Sequence, residues 1–418
     1  MCRPIPLFSP FLPIFARERF LLFVALQAGA RETNEPGRVI THYKDMSTAR
    51  RHFALTLMVN HACNLRCSYC YTGAKFSSPL PRQTGEIAIV RALQSLLPGG
   101  SLNLGFFGGE PLLEAQRILD WMEYARQQAR HSDNQVSFTL TTNGTINNPH
   151  AWQVMMADNL ELAVSFDGTP QIHDRHRRDS QDKGSAAAVE ATIRQLVNAG
   201  REFRVITVVR PDNLEEIPAA MEYLHALGVR AVNLSLDLWT SWTSNDGSRL
   251  NKLVTVLSKQ WARWLPNFSL NWFDSKVVQM TALRNSESSN TCGFGDGEIA
   301  VAPSGRLYPC ERLIGEDRPG NPLCLPGNAL DGQADFLGSS TSAFVHCSPC
   351  SQCALASACD TFCRCSNFVR TGDTNRPDGL LCLLNKATAS AVAEILNDGL
   401  IARSQVALPT ETKENCYV

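Results

Sequence analysis

Phe53-Ala54-Leu55-Thr56-Leu57-Met58-Val59 runs directly into Asn60-His61-Ala62-Cys63-Asn64-Leu65-Arg66-Cys67-Ser68-Tyr69-Cys70-Tyr71. The first seven residues form a short apolar run, which reads as a strand buried on both faces, as parallel strands are. The residues after it carry three cysteines at C-x₃-C-x₂-C on one loop. Three thiolates so placed can hold three corners of a cubane iron–sulfur cluster. Four is the usual complement. Three leave one iron open for a small molecule, as a catalytic metal keeps a free position. The competing reading is a zinc loop completed by His61, but structural zinc prefers four ligands in paired spacing.

The same strand-then-loop pattern repeats outward from this stretch. Apolar runs follow at Leu102 to Phe107, Val136 to Thr141, Leu162 to Phe166, Phe203 to Val209 and Ala231 to Leu236. Helical patterns alternate with them at 86–97, 112–130, 151–157, 185–199 and 213–227. Pro98-Gly99-Gly100 and Gly200 serve as stops. Six βα units in succession predict a parallel sheet with right-handed crossovers, open or curled into a partial (β/α)6 TIM-type barrel. In such folds the active site lies at the C-terminal ends of the strands, and the unusual residues here do follow the strands.

The chain has 418 residues, 44% hydrophobic and 19% charged, a globular composition that excludes disordered, collagenous and coiled-coil classes. A net charge of −1 supplies no global basic field for nucleic acid or an anionic membrane. No stretch reads as the roughly 18 to 20 apolar residues that span a bilayer. Arg17 and Arg19 before an apolar run at 20–26, with Ala28-Gly29-Ala30 beyond, resemble a short signal peptide. Crowded prolines and Met46 favour a poorly ordered extension or a misplaced start at 1–51, hence a cytoplasmic protein. Residues 247–285 predict one or two helices, with Trp261, Trp264 and Trp272 as core. The composition turns Cys-, Gly- and Pro-rich after Asn290. We therefore expect a barrel at 52–286, a mostly irregular Cys-rich domain at 287–385, and a C-terminal helix and tail at 386–418.

Cysteine is the anomaly: 15 in all, three on the first loop, ten between Cys292 and Cys382, with Cys2 and Cys416 alone. A chain of this length can bury its own core and needs no disulfide staples, so metal or cluster ligation is the better reading.

The C-x₃-C-x₂-C loop with Tyr69 before its last cysteine resembles the signature of the radical S-adenosylmethionine (SAM) superfamily. Three further strand ends extend the resemblance. Gly108-Gly109-Glu110-Pro111 is similar to the family's SAM amino-group motif. Paired glycines let backbone approach a ligand, and a carboxylate accepts from a cationic amine. Thr142-Asn143-Gly144 follows the third strand. Ser165-Phe166-Asp167-Gly168, with Arg177 twelve residues after the Ser, matches the SAM contacts of the peptide- and sulfatase-maturing branch. A solvated basic run with Arg175 and Arg178 is the plainer reading of Arg177. Leu236 is a looser match to an adenine contact.

The second cysteine group, Cys292-x₁₂-Gly305-x₄-Cys310 then Cys350-x₂-Cys353-x₅-Cys359-x₃-Cys363 and Cys382, resembles the seven-cysteine SPASM domain, which holds auxiliary iron–sulfur clusters. A zinc ribbon is the structural alternative. The resemblance implies Cys292, Cys310 and Cys363 on the first auxiliary cluster, and Cys350, Cys353, Cys359 and Cys382 on the second. Sulfatase maturases carry a further cysteine where this chain has Glu298. The first auxiliary cluster thus lacks an obvious fourth ligand, with Cys324, Cys347 and Cys365 in surplus. Glu311, after Cys310, stands where those maturases place an acidic base; the plainer reading pairs it with Arg312.

Three iron–sulfur clusters plus SAM imply radical chemistry on a peptide or protein substrate, fed by an external donor such as a flavodoxin or ferredoxin. The expected reaction is a carbon–carbon or thioether crosslink in a ribosomally made peptide. Formylglycine formation in a sulfatase is the alternative, and a zinc- or cluster-bearing binding module the non-enzymatic one. The 51 residues before the first strand are too few for a leader-binding domain of roughly 80 residues, so leader recognition falls to a separate protein or is absent.

Overall fold

The computed structural model describes residues 50–281, 293–332, 335–337, 348–360 and 363–397. The expectations for the N-terminal extension, for Cys292 and Cys347 and for the C-terminal tail lie outside them.

Six parallel strands alternate with helices as the sequence pattern predicts. The strands are β1 Arg50–Asn60, β2 Leu96–Gly108, β3 Gln135–Thr142, β4 Leu160–Ser165, β5 Arg204–Val209 and β6 Ala231–Leu236. Each pairs in parallel with the next. The connecting helices are α1 Arg82–Gln94, α2 Ala115–His131, α3 Pro149–Met155, α4 Pro170–His176, α5 Ala186–Asn198 and α6 Ile217–Ala226. Then come α7 Ser244–Trp264, a short β7 Ser269–Leu270 and α8 Asn271–Thr281. The sheet order β7-β6-β5-β4-β3-β2-β1-β8-β9 leaves both ends as edges, so the barrel is partial.

Three local expectations shift. The helix expected at 86–97 starts at Arg82 and stops at Gln94, because Leu96 already belongs to β2. Pro98-Gly99-Gly100 therefore lies inside the strand rather than ending the helix. α4 escaped the periodicity because a seven-residue helix is too short to show a stripe; Thr169 caps it, accepting from the Ile172 N–H. The Cys-rich region is not wholly irregular. β8 Glu298–Val301 pairs in parallel with β1, and β9 Leu307–Tyr308 pairs antiparallel with β8. One sheet thus runs across the composition shift at 286.

The strands are not covered alike on their two faces. Phe53, Leu55, Leu57, Leu102, Leu104, Phe138 and Leu162 pack against the helices in one continuous core. Their neighbours Ala54, Thr56, Asn103, Gly105, Thr139, Glu161 and Ala163 line a cavity on the concave face. Period-two alternation explains the division, since successive side chains leave opposite faces of a strand. Small and polar residues face inward, so the lumen stays open. Trp261 is fully buried with its N–H on Asp274, and Trp272 is 7% exposed, so both belong to the core as expected.

The Cys-rich region is anchored to the barrel by buried polar contacts. Arg91 of α1 donates to the carbonyls of Asn328, Ala329 and Asp335. α9 Ser348–Ser351, α10 Arg364–Thr371 and α11 Gly379–Asn397 complete the chain. α11 is long and apolar enough to cross a membrane by length and composition alone, a test that a core helix also passes. It packs on α7 and α8, burying Leu380, Thr388, Ala389, Val392 and Ile395.

Candidate functional site

Cys63, Cys67 and Cys70 sit together on the loop that leaves the C-terminal end of β1, all partly buried. Two backbone links to the end of α4 hold that loop: Arg66 N–H to the Arg178 carbonyl at 2.6 Å and Ser68 N–H to the His176 carbonyl at 3.0 Å. Each sulfur has its own donor or cation. The Leu65 N–H reaches Cys63 Sγ at 3.3 Å, and Asn143 Nδ2 lies 3.8 Å from it. The Arg177 charge acts on Cys67. Lys75 Nζ donates to Cys70 Sγ at 2.9 Å. Burial pushes the Cys63 thiol up to about 11, with Glu110 and Cys67 adding to it. At Cys70 burial also pushes upward, but the Lys75 charge and hydrogen bond outweigh it and the thiol is held below its usual value. Three soft donors on one loop, ringed by N–H groups and cations that stabilise thiolates, fit an iron–sulfur cluster with one open iron. His61 stacks on Phe76 at 4.5 Å, and among the described residues its ring nitrogens do not gather with the three sulfurs as a compact zinc site would need.

The Gly-Gly-Glu-Pro turn packs against this loop through backbone. Gly109 N–H bonds the Asn60 carbonyl and Glu110 N–H the Ala62 carbonyl, both at 2.9 Å. A Cβ at Gly109 would lie 2.3 Å from the Ala62 oxygen, and Gly108 adopts φ +151°. No other residue type fits both positions. The Glu110 side chain does something the sequence did not suggest. It is fully buried, and its carboxylate accepts from Leu112 N–H, Thr142 hydroxyl and Asn143 N–H at 3.0, 2.7 and 2.7 Å. Burial pushes its carboxyl up to about 7 against those three bonds. Three of about four acceptor positions are already used, so Glu110 ties the second strand end to the third. Asn143, from the Thr-Asn-Gly turn, closes the link by donating to Asn64 Oδ1 at 2.9 Å.

Ser165 ends β4 and is buried, with Asp167 two residues on. Arg177 is 6% exposed and pairs with Asp167, Nε to Oδ2 at 3.0 Å. Burial pushes the Asp167 carboxyl up, but Arg177 overrides it and holds the group below its usual value. The solvated reading applies to its neighbours instead: Arg175 pairs with Glu216 and Arg178 with Asp182. The Tyr69 hydroxyl donates to Asp167, and its ring lies under the guanidinium groups of Arg177 and Arg210 at 5.2 and 5.4 Å. Tyr69, Ser165 and Arg177 therefore converge beside the cysteine loop. Leu236 is 8% exposed at the end of β6 and belongs to the core, next to Asp237, which pairs with Arg210. The sequence reading missed an aromatic wall here. Tyr71 stacks on Trp239 at 4.4 Å and 7°, and on Phe107 at 6.3 Å. Trp239 is 43% exposed, a signal visible in sequence only as an aromatic after a strand end.

Among the C-terminal cysteines, Cys310 and Cys365 are fully buried and Cys363 partly. Cys365 is hydrogen-bonded to both others, with 3.3 Å between the Cys363 and Cys365 sulfurs. Glu298 and Glu311 oxygens and Cys310 Sγ all lie within 4.8 Å of one another. Glu311 makes no ion pair among the described residues, and Arg312 turns to Ser366 at 3.0 Å. Burial raises the Glu311 carboxyl. Both Glu298 and Glu311 line the barrel cavity. Cys350 lies on α9, Cys353 and Cys359 on the segment that follows it, and Cys382 on the first turn of α11. Asn385, one turn along the same helix, accepts from the Asp360 N–H at 2.9 Å, bringing the Cys359 segment against the start of α11. These soft donor sets fit auxiliary clusters as well.

The family model described as the radical SAM superfamily matches residues 57–224. A cysteine-type anaerobic sulfatase-maturating enzyme of Clostridium novyi is 25% identical over 282 residues, covering 62% of this chain and 74% of that enzyme. The solved structure of anSMEcpe with bound AdoMet superposes with a TM-score of 0.66 at 19% identity, over 84% of this chain and 96% of the other. Streptococcus suis SuiB bound to precursor peptide SuiA gives 0.56 at 14% identity, over 87% of each. The matched stretch begins in β1 and takes in the cysteine loop, the Gly-Gly-Glu turn and the Asp167–Arg177 pair, so these residues form a radical SAM domain, in a chain similar to the sulfatase and peptide maturases.

Proposed function

We propose that this enzyme oxidatively modifies a side chain of a ribosomally made peptide, forming a carbon–carbon or thioether crosslink, in the cytoplasm. The carrying observation is the cavity on the concave face of the sheet. It opens to solvent and is bounded on the Cys-rich side by Glu298 and Glu311. A cluster on Cys63, Cys67 and Cys70, when bound with SAM, would supply reductive SAM cleavage, with 5′-deoxyadenosine as a product, and the oxidising power to take hydrogen from an unactivated carbon. The chain's own residues do the rest. Cys63, Cys67 and Cys70 would hold that cluster; Tyr69, Gly108, Gly109, Glu110, Ser165, Arg177 and Leu236 would seat SAM. Glu311 takes a proton from the substrate beside the first auxiliary cluster. Cys292, Cys310 and Cys363, and Cys350, Cys353, Cys359 and Cys382, would hold auxiliary clusters able to accept the substrate electron, and a flavodoxin or ferredoxin is the external electron donor. A separate leader-binding protein presents the peptide.

Formylglycine formation is the second reading, favoured by the acidic residue after Cys310. Mass spectrometry after anaerobic reaction with SAM and dithionite separates the two. A precursor peptide that loses two hydrogens supports crosslinking; conversion of Cys or Ser to an aldehyde in a sulfatase peptide replaces it. Cys63, Cys67 and Cys70 changed together to Ala abolish 5′-deoxyadenosine, and unchanged SAM cleavage would refute the site. Glu311→Gln leaves SAM cleavage and iron intact while product falls by roughly 10²-fold, the usual general-base contribution; full turnover would make Glu311 a bystander.

A further inference from the structure

The first auxiliary cluster has a ligand problem that the tertiary structure answers. Its family pattern offers Cys292, Cys310 and Cys363, and the position where a fourth cysteine is expected holds Glu298. Two described groups stand near Cys310: the Glu298 carboxylate and the Cys365 thiol. They differ in what else they touch. Cys365 meets Cys363 as well as Cys310, and is 0% exposed. Glu298 meets Glu311, and its strand neighbours Ala54 in register, so its side chain joins the cavity lining.

Local geometry explains how two cysteines so close in sequence share one site. Residues i and i+2 within a helix do not face each other. Cys363 is the N-cap of α10, with φ −67° and ψ 97°, so it stands outside the helical spiral. The chain bends there, and its sulfur returns to within 3.3 Å of Cys365. Both sulfurs thus gather at the N-terminal end of the eight-residue α10. Arg312, whose charge acts on Cys310, Cys363 and Cys365 together, donates to Ser366 of the same helix at 3.0 Å. Iron in these clusters takes sulfur in preference to a hard carboxylate oxygen.

We propose that Cys365 is the fourth ligand of the first auxiliary cluster, beside Cys292, Cys310 and Cys363, and that Glu298 faces the substrate cavity with Glu311. This rests on the reading that an auxiliary cluster is present. The consequence is a cluster with no open iron, suited to carrying electrons rather than binding substrate.

The test uses the full chain, reconstituted anaerobically, with iron and sulfide counts and Mössbauer spectra. Cys365→Ala and Cys363→Ala each lose roughly four irons, one cubane, while Glu298→Gln keeps its full complement. Cys365→Ser preserves side-chain volume and guards against a folding defect; it too loses or alters the cluster while keeping a native circular dichroism spectrum. In the wild type, only the iron of the Cys63–Cys67–Cys70 cluster lacks a fourth thiolate. Full iron and an unchanged spectrum in both Cys365 variants, with loss in Cys363→Ala, would overturn the assignment. So would loss in Glu298→Gln, or a second non-thiolate iron in the wild type. Full iron in Cys363→Ala refutes the auxiliary-cluster reading itself.

Discussion

Asp167 and Arg177 face each other in the interior, Oδ2 to Nε at 3.0 Å, with 2% and 8% of their side chains exposed. Asp167 also receives the Tyr69 hydroxyl and, at 3.0 Å, the Val208 N–H. One carboxylate therefore joins the ends of β4 and β5, the basic end of α4 and the cysteine loop. Asp167→Asn leaves Arg177 charged and unpaired, which costs about 3 to 5 kcal/mol. Urea denaturation of the variant reads the loss, and SAM affinity falls with it. A midpoint equal to the wild type would show that the pair holds nothing.

Gly109→Ala tests the close packing of the second turn on the cysteine loop. The new methyl would sit 2.3 Å from the Ala62 carbonyl oxygen, backbone that no rotamer change relieves. The cysteine loop must move, and the variant is expected to lose the first cluster's iron and 5′-deoxyadenosine formation while its C-terminal clusters stay. Wild-type SAM cleavage would contradict this.

His173 makes stability depend on pH. It is fully buried between Phe166, Ser185 and the Asp167 N–H. Burial, then the Arg177 charge, depress it from 6.5 to about 3. The unfolded chain therefore binds a proton that the folded chain refuses, and this stability is complete above about pH 6.5 and is lost as pH falls towards 3. The slope reaches up to about 1.4 kcal/mol per pH unit within that window. His173→Gln, compared with the wild type by urea denaturation from pH 7 to 4, is expected to lack this slope. Equal slopes would place the titration elsewhere.

Lys276 links the barrel to the Cys-rich region. Its ammonium, on a side chain 2% exposed, donates to Asp360 at 2.6 Å, to the Ala358 carbonyl at 2.8 Å and to Asn385 at 2.7 Å. Lys276→Met fills the space but frees the segment after Cys359. Asp360 is half-exposed and can return to water, so the expected loss is about 1 to 3 kcal/mol. Iron retention on dilution should fall, and a melt and iron release unchanged from the wild type would discard the link.

The radical SAM cysteines and the six strands were legible in the sequence because both are local. Cys63, Cys67 and Cys70 lie within one loop, and each apolar run carries its own strand pattern. Gly108 and Gly109 were legible too, since glycine pairs mark close backbone approach. The lumen was less so. Thr56, Gly105 and Thr139 look like interruptions of buried strands, and only the curl of the sheet turns them into a cavity wall.

What the sequence by itself determined was therefore the order of strands, the cysteine sets and the class of chemistry. Which charges meet was decided by tertiary structure. Arg175, Arg177 and Arg178 are near neighbours in the chain, yet the turn of α4 buries only Arg177, against Asp167. Glu110 became a clip because β3 brings Thr142 and Asn143 to it. Cys365 meets Cys363 because the α10 N-cap bends the chain back there. Residue spacing along a chain encodes local geometry, whereas burial and pairing depend on which distant segments the packed core forces together.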